Sequence, residues 1–98
     1  MAKMYVSEYA TPGYMAGTSQ VGFEPSTDSV VTFGATTQSS AFQFNTNLVR
    51  VHVDGIASIA FGTNPTATTS NKRLVAGQTE YFFVPAGQAW KVAAVTNT

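Results

Sequence analysis

Cysteine is absent from this chain of 98 residues, which excludes disulfides and thiolate metal centres. Charge is nearly as scarce. Five Lys and Arg balance five Asp and Glu, and charged residues are 10% of the sequence, against roughly 25% in ordinary soluble domains. A chain with no net charge offers no basic surface to nucleic acid. The single histidine, His52, falls short of the three or four ligands a metal site needs. Long apolar runs are missing too. Tyr81 to Val84 and Val92 to Val95 are strand-sized, far below the roughly 20 residues of a membrane helix. Behind Met1-Ala2-Lys3 there is no apolar run of the roughly 7–15 residues that a secretory signal requires. The expectation is a chain made in the cytosol and soluble or assembled there. Phosphate loops of the GxGxxG and GxxxxGK[ST] kinds do not occur, and no cofactor is implied.

What replaces charge is Thr, Ser, Asn and Gln, with abundant Val, Phe and Tyr and only two leucines, Leu48 and Leu74. β-Branched and aromatic residues favour strands. The punctuation by Gly, Pro, Asn and Ser places strands at about residues 3–9, 29–34, 40–45, 48–53, 56–61, 72–76, 79–84 and 89–95. Eight short strands in one small domain, 1–98, fit an antiparallel β-sandwich of jelly-roll type. Residues 1–28 read as an N-terminal strand and extended arm, and 29–98 as the sandwich core.

Leu48 to Asp54 alternates most clearly, with Val49, Val51 and Val53 on one side and Arg50, His52 and Asp54 on the other. The following Asp54-Gly55 signals a hairpin. Matching apolar faces favours a three-residue loop that sets Val51 opposite Ala57, with Gly55 left-handed. Further on, Val75-Ala76-Gly77-Gln78 is echoed by Pro85-Ala86-Gly87-Gln88, and each Gly is expected to turn with positive φ. The strand Tyr81-Phe82-Phe83-Val84 is apolar on both faces, so it is covered on both, by its own fold or by a partner.

No catalytic constellation emerges. Ser58, His52 and Asp54 have the residue types of a triad but not its enclosed geometry, and the carboxylates show no paired spacing for acid–base work. The expectation is a protein that is not an enzyme. Residues 11–28 hold three of the eight Gly and two of the four Pro and few apolar anchors. Such a segment cannot easily bury enough surface to offset an ordering entropy of roughly 1–2 kcal/mol per residue. It is expected to pack across a subunit boundary through Tyr14, Met15 and Phe23. Lys72-Arg73 reads as an edge-strand guard or a contact with a partner. Lys3 to Asp28 and Val92 to Thr98 are the two candidate contact segments.

From Leu48 to Asn71 the run LVRVHVDGIASIAFGTNPTATTSN, and from Leu74 to Thr98 the run LVAGQTEYFFVPAGQAWKVAAVTNT, resemble small virion structural proteins of tailed bacteriophages, closest to head decoration, or cement, proteins. The resemblance covers about half the chain, residues 48–98, through turn and strand phrases. It implies a small all-β fold on the outer capsid surface, in dimers or trimers, with the major capsid protein as partner. Sparse charge and 12% aromatic residues suit a surface buried by assembly. The rivals are a tail or neck component, and a carbohydrate-binding module using Trp90, Tyr81 and Tyr14. A Trp90 buried in the core argues against the last, and a flat exposed one supports it.

Overall fold

The computed structural model describes residues 1–10 and 27–97. These form eight strands: β1 (Ala2–Tyr9), β2 (Thr27–Phe33), β3 (Thr37–Gln38), β4 (Leu48–Val53), β5 (Ala57–Gly62), β6 (Lys72–Leu74), β7 (Thr79–Phe83) and β8 (Lys91–Thr96). They make two four-stranded antiparallel sheets, ordered β2-β1-β4-β7 and β3-β8-β5-β6. The two sheets close on one core as a β-sandwich.

The core follows from period-two alternation. Val49, Val51 and Val53 of β4 are fully buried, as are Met4 and Val6 beside them on β1. From the other sheet Ala57, Ile59, Val92 and Ala94 meet them. Each buried Val, Ile or Met side chain contributes about 1.5–3 kcal/mol by leaving water. At one end Phe61 of β5 packs on Phe82 of β7 with ring centroids 4.9 Å apart, and Phe42 sits 6.4 Å from Phe61. This aromatic cluster joins the sheets where the longer connections 39–47, 63–71 and 84–90 begin and end. The short turns 34–36, 54–56 and 75–78 lie at the opposite end.

Two expectations are corrected. First, Asp54-Gly55 does not close a hairpin. β4 pairs with β1 and β7, whereas β5 pairs with β6 and β8. The turn carries the chain from one sheet to the other, so Val51 and Ala57 meet across the core rather than along a ladder. The Asp54 amide donates to the Lys3 carbonyl on one sheet, and the Ile56 carbonyl accepts from the Asn97 amide on the other. Gly55 lacks a positive φ. It is needed because a Cβ there would stand 2.6 Å from the Ala2 Cβ. Gly77 and Gly87 do turn with positive φ, at 84° and 77°.

Second, the strand expected at 40–45 is replaced by the short β3 and a loop. Ser39 and Phe42 donate their amides to the Val92 and Trp90 carbonyls, while the Val92 amide turns to the Ser39 hydroxyl. That substitution of a side chain for a carbonyl ends the ladder. Of the N-terminal strand and arm, the strand forms as β1, and residues 11–26 lie outside the described residues. β1 lies inside its sheet, paired on both sides, because Met4 and Val6 complete the valine layer of β4. Residue 28 accordingly belongs to β2. Within the segment Val92 to Thr98, Val92, Ala93 and Ala94 are fully buried, while Thr96 is exposed.

Candidate functional site: an aromatic sheet face

The two outer faces of the sandwich are treated differently by the chain. On the β3-β8-β5-β6 sheet, Ser58 and Ala93 point away from the core yet have no exposed surface. The connection 63–71 covers them. Gln38 donates its side-chain amide to the Asn64 side chain at 2.8 Å and to the Pro65 carbonyl at 2.9 Å. The Ala67 amide donates to the Thr36 hydroxyl, and Asn97 donates to the Ser58 hydroxyl and the Thr69 carbonyl. Pro65 and Ala67 are buried by this closure.

Among the described residues, no connection covers the outer face of β2-β1-β4-β7 in this way. Alternation brings Tyr5, Ser7 and Tyr9 of β1, Asp28 and Val30 of β2, Leu48, Arg50 and His52 of β4, and Tyr81 and Phe83 of β7 to that face. Phe83 is 84% exposed, Tyr81 58% and Val30 54%. These figures decide how much apolar surface faces solvent, and it is concentrated at the β7 edge. Leu48 is buried on this side, between its ladder partners Tyr9 and Phe83. The Tyr9 and Tyr81 rings lie 6.5 Å apart, and Tyr5 and His52 6.0 Å apart.

The polar groups of the face are mostly tied down. The Ser7 hydroxyl donates to Asp28 Oδ1 at 2.6 Å, and His52 Nδ1 and Thr79 Oγ1 share a hydrogen bond of 2.7 Å. Half-buried Arg50 stands between Ser7 and Tyr81 in the ladders. Its guanidinium has no hydrogen-bonding or ionic partner among the described residues. A depression of about 530 Å³ opens here, lined by Tyr5, Ser7, Asp28, Val30, Arg50 and His52. Aromatic side chains beside an available Arg are the composition of interface centres rather than of ordinary solvent-facing surface.

The sequence-derived candidates fall in different places. Tyr14, Met15 and Phe23 lie outside the described residues. Lys72 and Arg73 are exposed on β6, an edge strand. Lys72 Nζ reaches Glu80 Oε1 on β7 at 3.4 Å, so this cation bridges the two sheets of its own chain. Ser58 sits on one sheet and His52 on the outer face of the other, so the conceivable triad is not assembled. Trp90 is half-buried and packed against the core. No group of three or more His, Asp or Glu suited to a metal occurs among the described residues. Residue reading singled out Tyr81 and Phe83 but missed Tyr5, Tyr9, Val30 and Arg50. The signal for the tyrosines was their four-residue spacing, which with Ser7 between them puts both on one side of β1. No protein-family model, curated protein or solved structure matches this chain.

Proposed function

We propose that this chain is a structural protein of a tailed-phage virion, a decoration protein that reinforces the outer capsid surface by contacts with the major capsid protein and with other copies of itself. The observation that carries the reading is the aromatic outer face of the β2-β1-β4-β7 sheet, where Tyr5, Tyr81, Phe83 and Val30 are exposed. Among the described residues, a whole connection, 63–71, dresses the other sheet, and none is tied down over this one. The strand phrases of residues 48–98 supply the resemblance to decoration proteins. The strand order supports the jelly-roll reading. Counted from β2, one sheet holds the first, eighth, third and sixth strands and the other the second, seventh, fourth and fifth, with β1 taking the place of the eighth. The role is mechanical, not catalytic: apolar burial across subunit junctions adds stability to the shell. The carbohydrate-binding alternative is disfavoured because Trp90 leans on the core.

The test is co-sedimentation of the purified chain with shells of the encoding phage that lack it. The comparison is the double variant Tyr81→Ser, Phe83→Ser, whose positions are exposed enough to leave the fold intact by circular dichroism. Loss of most shell occupancy in the double variant supports the proposal. Equal occupancy, or sedimentation with tails and not with shells, refutes it.

A further inference from the structure

A β-sandwich has four strand edges, each a row of unpaired backbone groups that can recruit another chain. Among the described strands, three of the four edges are blunted. β3 is two residues long. β6 has three residues, two of them Lys72 and Arg73. β7 carries Glu80, bridged to Lys72. The fourth edge, β2, is different. It runs for seven residues, Thr27 to Phe33, in an unbroken register with β1. It contains no Lys, Arg, Pro or Gly. Asp28 is its one charge, and that carboxylate already accepts from Ser7. Among the described residues, β2 forms a ladder with β1 alone. A long, regular edge without guards is the form that pairs with another strand.

We propose that two copies of this chain join antiparallel along β2, about a two-fold axis at Val30, to make one continuous eight-stranded sheet. Self-pairing restricts the register. Opposed residues in an antiparallel ladder share a face, so only even offsets are open. The register centred on Val30 sets Val30 opposite Val30 of the second copy, Asp28 opposite Thr32, Ser29 opposite Val31 and Thr27 opposite Phe33. It uses all seven residues and brings no like charges together. Moving the axis to Ser29 or Val31 gives up two pairs.

Charge complementarity favours the centred register. Lys3 is the β1 partner of Thr32, so it lies two strand spacings, about 9.5 Å, from Asp28 of the second copy in the same cross-strand row. The exposed Lys3 side chain is long enough to span much of that gap, and symmetry makes the contact twice. A closed two-fold pair also uses up the edge, whereas an open edge would propagate. The proposal concerns an edge and not the aromatic face, so its failure leaves the shell-binding reading standing, and the reverse holds.

The absence of cysteine makes the test direct. Val30→Cys introduces a single thiol, and the two Cβ atoms at the axis of the proposed dimer lie about 4.5–5.5 Å apart. Mild oxidation should cross-link most of this variant into dimers at micromolar concentration. Thr32→Cys, on the same face and strand, is displaced from its symmetry mate by four residues, about 13 Å, and should remain largely uncross-linked. By sedimentation the unmodified chain should be dimeric, and Val30→Lys, which sets two cations at the axis, should shift it to monomer with an unchanged circular dichroism spectrum. Equal cross-linking of both cysteine variants, a monomeric or trimeric unmodified chain, or a Val30→Lys variant that stays dimeric would overturn the proposal.

Discussion

Thr46 offers a sharp measure of what holds the 39–47 loop to the sandwich. It is 1% exposed, and its hydroxyl donates to Glu8 Oε1 at 2.7 Å. The same oxygen accepts the Gln43 amide at 2.8 Å. Glu8 is itself buried at the end of β1, on the face that carries Met4 and Val6. A carboxylate placed there needs hydrogen-bond donors, since burying a charged group without them costs far more than burying an apolar one. Thr46→Val keeps the side-chain volume and removes only the donor. A hydrogen bond to a charged group contributes about 1.5–3 kcal/mol, so the variant should lose that much stability. Thr46→Ser keeps the hydroxyl and deletes one methyl, which at about 0.8 kcal/mol per buried carbon is the smaller loss.

The assay is equilibrium urea unfolding of the unmodified chain and both variants. With a slope of about 1–2 kcal/mol per molar for a domain of this size, Thr46→Val should lower the midpoint by roughly 1–2 M and Thr46→Ser by less than half as much. If the serine variant is the less stable of the two, packing and not the hydrogen bond holds the loop, and the argument fails.

Gly55→Ala should destabilise by about 1–3 kcal/mol, the cost of overpacking, because its Cβ would meet the Ala2 Cβ at 2.6 Å; an unchanged melting temperature would refute the close approach. Gly77→Ala tests a different cause, a φ of 84° with no atom within 4 Å, and should cost about 1–2 kcal/mol through left-handed backbone strain alone. Met4→Ala empties a fully buried site and should cost about 2–5 kcal/mol, read by the same urea titration. Lys72→Ala removes an ion pair whose side chains are 51% and 32% exposed; it should change stability by less than about 1 kcal/mol, and a larger loss would mean the bridge is needed to hold β6 against β7.

Much of the strand layout was legible because alternation is a local property. Val49, Val51 and Val53 announce a buried face, and so do Met4 and Val6. The echoed Gly77 and Gly87 turns were legible for the same reason, since positive φ is decided within a few residues. The fate of Asp54-Gly55 was not. Two strands with matching apolar faces satisfy that match equally well side by side in one sheet or face to face across the core. The short turn fits both, and only the competition of β1 and β7 for the edges of β4 decides. Residues 40–45 misled for a related reason. Phe42 turns inward to the core while Phe44 is 80% exposed against Gly87, so two aromatics at strand spacing do not share one environment.

The aromatic face was half legible, and the missing half shows what sequence lacks. Tyr81-Phe82-Phe83-Val84 is apolar on both sides, which required cover on both. The fold provides it only for Phe82, which packs against the core, and Val84, which is buried. Tyr81 and Phe83 are left in solvent. Finding the rest of the patch requires strand order, because Tyr5, Tyr9, Arg50 and Tyr81 come from strands far apart in the chain. β1 and β7 become near neighbours only because β4 lies between them. The two sheets then differ in one respect that no single strand reveals. The connection 63–71 is tied to Thr36, Gln38 and Asn97, all at the sheet whose outward residues, Ser58 and Ala93, are small. Small residues leave room for an intramolecular cover to lie flat, whereas a row of tyrosines and Phe83 makes a relief that is better matched by a surface shaped to it. A single exchange probes this division. Ala93→Tyr, on the covered sheet, should displace the 63–71 connection and expose Ala67, measured as faster hydrogen exchange of the Ala67 amide that now bonds Thr36. Unchanged protection would show that the connection is held by its hydrogen bonds irrespective of what lies beneath it.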